Sequence, residues 1–183
     1  MTFDQGRGDA APAWAGVLPG HPAPFHLPRG EGERSVAFDA LTTVLLSGQE
    51  TENQFGMFVV EQPAGPRIPT HKHVAVHETF YVVEGLIDVF VAHTDGRQER
   101  LRLGVGDFAY VPAGITHAFE AVGERNTILG SCTAGFERFF QAMGRLTDER
   151  GIPDEPYMVP REQLGDAFRR FDNIPQFDFV WEV

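Results

Sequence analysis

The sequence predicts an all-β chain closed into a jelly-roll barrel, with an extended N-terminal arm before it and helices after it. Three observations carry this expectation. From Ser35 to Cys132, short runs rich in Val, Ile, Thr and aromatic residues are broken by Gly, Pro and Asp turn signals. No stretch shows βαβ alternation or a glycine-rich phosphate loop leading into a helix, which argues against a nucleotide fold. After Gly135 the apolar spacing switches from two to three and four, the helical period.

With 183 residues, the chain is expected to be one domain, residues 1–183, long enough for a full core. It divides into an arm (1–34), a barrel core (35–134) and a helical extension (135–183). Hydrophobic residues at 42% and charged residues at 22% are globular rather than disordered proportions. The formal charge of -11 argues against nucleic-acid and anionic-membrane partners, which need clustered cations. Lys72 is the only lysine, and the arginines are dispersed along the chain. The single cysteine, Cys132, excludes an intramolecular disulfide and reads as a small buried strand residue. No apolar run approaches the ~20 residues that span a bilayer, and the first residues lack the pattern of a secretory signal, so a cytoplasmic location is expected.

Taken in order, residues 1–34 are rich in Pro, Gly and Ala. The first ten are expected to be loose, whereas Trp14, Val17, Leu18, Phe25 and Leu27 would pin the arm to the barrel or to a second subunit. His21 and His26 lie between prolines and read as surface residues. Strands are expected at Val36 to Phe38, Thr42 to Leu46, Phe55 to Glu61, Thr79 to Val83, Leu86 to Ala92, Glu99 to Leu103, Phe108 to Val111, His117 to Val122 and Thr127 to Cys132. Asp95-Gly96 marks a hairpin. Many short antiparallel strands without intervening helices suit a jelly roll, which can hold a ligand cavity. Phe136, Phe139, Phe140, Met143 and Leu146 form a helical stripe expected to cap the barrel, ending near Gly144 to Thr147. A second helix is expected over Arg161 to Phe171, with Leu164, Phe168 and Phe171 on one side. The alternating tail, Phe177 to Trp181, would add an edge strand or pack across the subunit surface. Aromatic residues in the arm and tail lead us to expect a homodimer.

The chemistry concentrates in two stretches. His71 and His73 are two apart, so on an extended strand both imidazoles leave the same face. Glu78 lies an odd number of residues further on, so the chain must turn through Val74 to His77 before the next strand begins. There Glu78, Phe80 and Val82 share a face. A carboxylate on an inward apolar face is costly unless it has a partner, and a divalent cation held also by imidazoles supplies one. The second stretch, Gly106 to His117, adds a third histidine after a Pro112-Ala-Gly114 turn. His71, His73, Glu78 and His117 would suit one divalent first-row transition metal (Ni, Fe, Mn, Co or Cu), with positions left open for substrate or dioxygen. A structural zinc site would more often use cysteine. Glu78 is either a plain ligand or, in addition, a general base. His77 reads as a turn residue and His93 as solvated.

These stretches resemble the two motifs of the cupin superfamily. The first is filled by Gly65, His71, His73, Glu78 and Gly85, and the second by Gly106, Pro112, Gly114 and His117. Ala121 stands where family members usually carry Asn, four residues after His117. The resemblance implies a double-stranded β-helix. Ser47 to Asn53, Gly106 to Pro112, Gly135 to Phe140, Gly151 to Pro153 and Val159-Pro160 extend the similarity to the bacterial single-cupin quercetin 2,3-dioxygenases, from about Leu41 to Pro160. That family implies cleavage of a flavonol's central ring by dioxygen, giving a depside and carbon monoxide, with Glu78 taking the proton of the 3-hydroxyl. Phe80, Val82 and Phe119 would line the cavity and Ile115 its mouth, with Phe55 and Met57 on a neighbouring strand. The superfamily also includes isomerases, polyketide cyclases and non-catalytic small-molecule binders, and fold alone does not choose among them.

Overall fold

The structure, a computed structural model, describes residues 13–183, so the expectation for the first ten residues lies outside it. Strands form where apolar residues alternate, and glycines in the left-handed region turn the chain between them. At the Asp95-Gly96 hairpin, Gly96 takes φ 87° and the flanking strands pair from Leu86 opposite Gly104 to Ala92 opposite Gln98.

The strands are β1 (Glu33–Ala37), β2 (Ala40–Leu46), β3 (Phe55–Pro63), β4 (His71–Lys72), β5 (Glu78–Glu84), β6 (Leu86–Ala92), β7 (Gln98–Gly104), β8 (Phe108–Val111), β9 (Thr116–Ala121), β10 (Arg125–Thr133), β11 (Arg145–Leu146) and β12 (Ile174–Pro175). Two helices, α1 (Arg138–Met143) and α2 (Arg161–Arg170), follow the barrel strands. One sheet runs β11-β1-β2-β3-β10-β5-β8 and the other β12-β4-β9-β6-β7. Two antiparallel sheets closing on one core make the jelly roll.

Direct partners across a ladder share a face, which fixes what points inward. Ile128 on β10 lies opposite Val60 on β3 and Val82 on β5. In the other sheet Val89 lies between Leu101 and Phe119. Of these, Ile128, Val82 and Val89 join Phe80, Ile87, Val91, Leu103 and Val111 in one apolar cluster, with Leu101 and Phe119 packed against it. Each fully buried side chain of this kind contributes roughly 1.5–3 kcal/mol.

A second cluster closes one end of the barrel. Phe136 and Phe139 pack with Phe58, Val60, Cys132, Ala167 and Phe171. Thus the first helix caps the barrel, but it ends at Met143 and Leu146 does not belong to its stripe. Gly144 is extended, at φ -93° and ψ -174°, and a Cβ there would lie 2.6 Å from the Val36 carbonyl oxygen. That close approach to β1 turns Arg145–Leu146 into an edge strand paired with Ser35 and Val36. The second helix buries Ala167, and Phe171 at its C-terminal cap is buried too, while Leu164 and Phe168 are half-buried.

The tail differs from the edge-strand expectation. Residues 177–181 form no strand; the edge strand is β12, paired with β4. Beyond it the chain folds back over its own barrel. The Trp181 indole donates to Thr70 Oγ1 at 2.8 Å and its ring lies 5.6 Å from that of Phe90. In the arm Trp14 and Leu18 are buried, the Trp14 indole donating to the Thr147 carbonyl, whereas Val17, His21, Phe25 and His26 are exposed. No helix among the described residues is long and apolar enough to cross a membrane.

Candidate metal centre

Between the sheets, beside Phe136, the barrel brings four donors together. His71 on β4 is the direct ladder partner of His117 on β9, so both rings enter from the five-stranded sheet. His73 follows on the same face, one residue past β4. Glu78 opens β5 on the opposite sheet, between Val111 on β8 and Cys132 on β10. The turn through residues 74–77 therefore carries the chain from one sheet to the other. Gly114, at φ 87°, donates its N–H to the His73 carbonyl at 2.7 Å and so ties the two motif loops together.

One ligand atom from each of the four residues lies within 4.8 Å of those from the others, and all four residues are buried. Donors each about 2 Å from a shared ion would be at most about 4 Å apart, so the cluster closes on a cation with movements under about 1 Å. Glu78 Oε2 is 3.1 Å from His73 Nε2 and 3.0 Å from His117 Nε2. The other ring nitrogens are engaged as well. His71 Nδ1 lies 2.9 Å from the Pro69 carbonyl, His117 Nδ1 2.9 Å from the Ile115 carbonyl and His73 Nδ1 2.7 Å from the Asp172 carbonyl. Donating Nδ1–H to a carbonyl leaves Nε2 as the metal-facing nitrogen.

Electrostatics fit the same reading. Burial pushes the His71 pKa down to about 3, and the neighbouring His117 adds to that, so its imidazole stays neutral and able to ligate. Burial alone would raise the Glu78 pKa, but hydrogen bonds from His117 and His73 outweigh it and hold the carboxyl well below its ordinary range. Burial likewise disfavours a charged His73, yet the Glu78 carboxylate lifts its pKa above the usual value. Without a cation, then, protons on imidazole nitrogens balance the buried carboxylate. A divalent ion can take their place. Three histidines and one carboxylate suit one divalent first-row transition metal and leave coordination positions open.

Around the donors, Phe80 and Val82 continue the Glu78 face and belong to the apolar core, with Ile115 and Phe119 packed against it. The Phe80 and Phe119 rings are 5.8 Å apart. Ala121, at the position where Asn is usual, lies opposite Ile87 in the apolar interior. Phe55 and Met57 are not part of this wall. Gly130 opposes Phe58 and Cys132 opposes Gly56, so the inward positions of β3 are Gly56, Phe58 and Val60, and Phe55 and Met57 face out. The parity of β3 is thus opposite to that expected from its sequence, because pairing with β10 sets it. Gly56 was the available signal, since a Cβ there would lie 2.3 Å from Glu137 Oε2, and only glycine fits beneath that buried carboxylate.

Three residues near the donors were not assigned to the site by sequence reasoning. Phe136 meets the His73 ring edge-on, with centroids 4.6 Å apart. Cys132 sits beside Glu78, its thiol pKa pushed far up by burial and by the Glu137 and Glu78 charges, so it is no thiolate ligand. Asp172 supplies the acceptor for His73. Cavities of about 340 Å³, beside α1 and α2, and about 550 Å³, near Gly85 and Gly123, are lined by none of the four donors.

Comparison with known proteins agrees with this architecture. The family model described as a cupin domain matches residues 57–129. Quercetin 2,3-dioxygenase of Bacillus subtilis (strain 168) is 32% identical over 160 residues, which is 87% of this chain and 43% of that protein. The chain thus spans less than half the length of that curated relative. Among solved structures, KdgF from Halomonas sp. matches with a TM-score of 0.51 at 18% identity, covering 61% of this chain and 94% of that one. An oxalate decarboxylase variant from Bacillus subtilis matches with a TM-score of 0.52 at 16% identity, covering 74% and 39%. At these identities the two structural matches show the shared fold alone. By its fold, its donor set and its sequence, the chain contains a cupin domain and resembles the quercetin 2,3-dioxygenases.

Proposed function

We propose that this protein is a metal-dependent dioxygenase that opens the central ring of a flavonol such as quercetin, consuming one dioxygen and releasing one carbon monoxide and a depside. The observation that carries the reading is the buried group of His71, His73, Glu78 and His117 inside an apolar barrel. Identity of 32% to a quercetin 2,3-dioxygenase supports the substrate class.

A cation held there would supply Lewis acidity toward the substrate oxygen and dioxygen. The chain's own residues do the rest. Glu78 accepts the proton of the flavonol 3-hydroxyl. Without an ion, hydrogen bonds from His73 and His117 to Oε2 hold its basicity down; with their Nε2 atoms facing an ion instead, Glu78 would take the proton on a carboxylate oxygen not held by that ion. Phe80, Val82, Ile115 and Phe119 form an apolar wall that excludes water and strengthens charge stabilisation within it. The donors are only 1–7% exposed, and Phe136 packs edge-on against the His73 ring, which keeps bulk water away from them.

The same reading makes the chain a single-domain cupin acting as a homodimer in the cytoplasm. Its buried, unpaired cysteine suits a reducing compartment. An exposed apolar sheet face, with Tyr81, Val83, Phe108 and Tyr110 on its outer side, suits a second copy.

An oxygen electrode with quercetin and metal-reconstituted protein tests the reaction. Oxygen uptake matched by carbon monoxide, lost in Glu78→Gln while much of the metal stays bound, is the expected result. Turnover of another compound without uptake would instead indicate an isomerase or cyclase, and no reaction with any metal a non-catalytic binder.

A further inference from the structure

His71 and His117 each take an Nδ1 acceptor from two residues upstream, so their own loops set their ring orientation. His73 is different. Its acceptor is the carbonyl of Asp172, 99 residues away and just past the end of α2. Asp172 holds this place in a left-handed conformation, φ 55°, which Asp and Asn tolerate better than most residues. Its carboxylate also binds the chain: Oδ2 accepts the N–H groups of Val74 and Ala75, both at 2.8 Å. One residue therefore grips the turn between His73 and Glu78 through its main chain and its side chain together. The attachment continues into the β12–β4 ladder, where Ile174 pairs with Lys72 and Pro175 with His71.

We propose that Asp172 is a positioning residue for the cation site. Its carbonyl accepts the His73 Nδ1–H and so fixes the ring with Nε2 toward the other donors, and its carboxylate keeps the Val74–Ala75 turn within reach of that carbonyl. This rests on reading the four donors as a cation site. The C-terminal segment is then part of the centre, and cation affinity depends on its docking. His71 and His117, held by their own loops, are independent of it.

The test uses the full chain and three variants. Asp172→Gly and Asp172→Asn both accept the left-handed backbone, but only Asn keeps an oxygen for the two N–H groups; Asp172→Ala lacks the oxygen and resists the backbone. Calorimetric titration of metal-free protein with Ni²⁺ should show binding about 10- to 100-fold weaker in Asp172→Gly and Asp172→Ala, the range typical for loss of such an outer partner, and substantially rescued in Asp172→Asn. In metal-free protein, proton and nitrogen-15 spectra should show the His73 Nδ1–H losing its hydrogen bond to the Asp172 carbonyl in Asp172→Gly, while the Nδ1–H groups of His71 and His117 keep theirs. If Asp172→Ala fails to fold, the Gly–Asn pair decides. Equal affinity and an unchanged His73 Nδ1–H signal in Asp172→Gly would overturn the proposal, as would Asp172→Asn weakened as far as Asp172→Gly. Absence of Ni²⁺ binding in the wild type would sink the cation-site reading itself, whereas the metal-free spectra would still report on the Asp172 contact.

Discussion

Cys132 lies directly across the β5–β10 ladder from Glu78, so the one thiol of the chain is the inward neighbour of the one carboxylate among the donors. Burial first, and then the charges of Glu137 and Glu78, push its pKa far up. Only the thiolate reacts appreciably with alkylating agents. Native protein should therefore resist iodoacetamide at pH 8, while urea-unfolded protein reacts readily. Rapid labelling of the native form, read by mass spectrometry, would contradict this placement.

Glu137 is a second buried carboxylate with a different role. Its oxygens accept the N–H groups of Gly48 at 3.0 Å and Gly135 at 2.7 Å, which anchors the start of α1, and with it Phe136, over the site. A Cβ at Gly56 would collide with that carboxylate at 2.3 Å. Gly56→Ala is expected to cost about 1–3 kcal/mol in urea unfolding, as overpacking of a tight interior does. A stability within experimental error of wild type would show that Glu137 yields without consequence.

Acid sensitivity of the metal-free protein follows from His71. Its pKa is about 3 in the folded chain against an ordinary value of 6.5. Between those values the unfolded chain takes up a proton that the folded chain refuses, so stability falls as pH drops from 6.5 toward 3, by at most about 1.4 kcal/mol per pH unit for one proton. Glu78, held below its ordinary 4.5, acts in the same direction once the pH falls below that value. His73, whose pKa is raised, contributes stability present below 6.5 and lost above it. Urea unfolding between pH 6.5 and 5 should show the decline in wild type and a flatter profile in His71→Asn. Equal slopes would refute the assignment.

The outer face of β5 and β8 predicts self-association. Tyr81 pairs with Phe108 and Thr79 with Tyr110 across the ladder, and Phe108 and Tyr110 are 60% and 51% exposed on the sheet's edge strand. A charge placed there would be desolvated on pairing. Light scattering should find wild type as a dimer and Phe108→Glu as a monomer with unchanged circular dichroism. A dimeric Phe108→Glu would place the contact elsewhere.

The barrel was legible because each strand is local: alternation and turn glycines lie within a few residues of the elements they define. Leu86–Ala92 and Phe108–Val111 have the same bounds in sequence and structure for that reason. The sequence likewise assembled His71, His73, Glu78 and His117, whose spacing encodes a change of sheet between His73 and Glu78. What stayed hidden depends on contacts distant in sequence. The inward face of β3 depends on its pairing with β10, so Phe55 and Met57 were assigned to the wrong side. The end of α1 depends on the approach of Gly144 to Val36, and no periodicity reports that. Asp172 follows a helix as a common C-terminal cap would, and nothing in its neighbours points 99 residues back to His73.

The account stands on one cation shared by four side chains, and anomalous diffraction from crystals grown with Ni²⁺ or Co²⁺ tests it most directly. The predicted result is a single peak about 2.0–2.2 Å from Nε2 of His71, His73 and His117 and from a carboxylate oxygen of Glu78. A map with no peak among these residues, with Glu78 still hydrogen-bonded to His73 and His117, would contradict it.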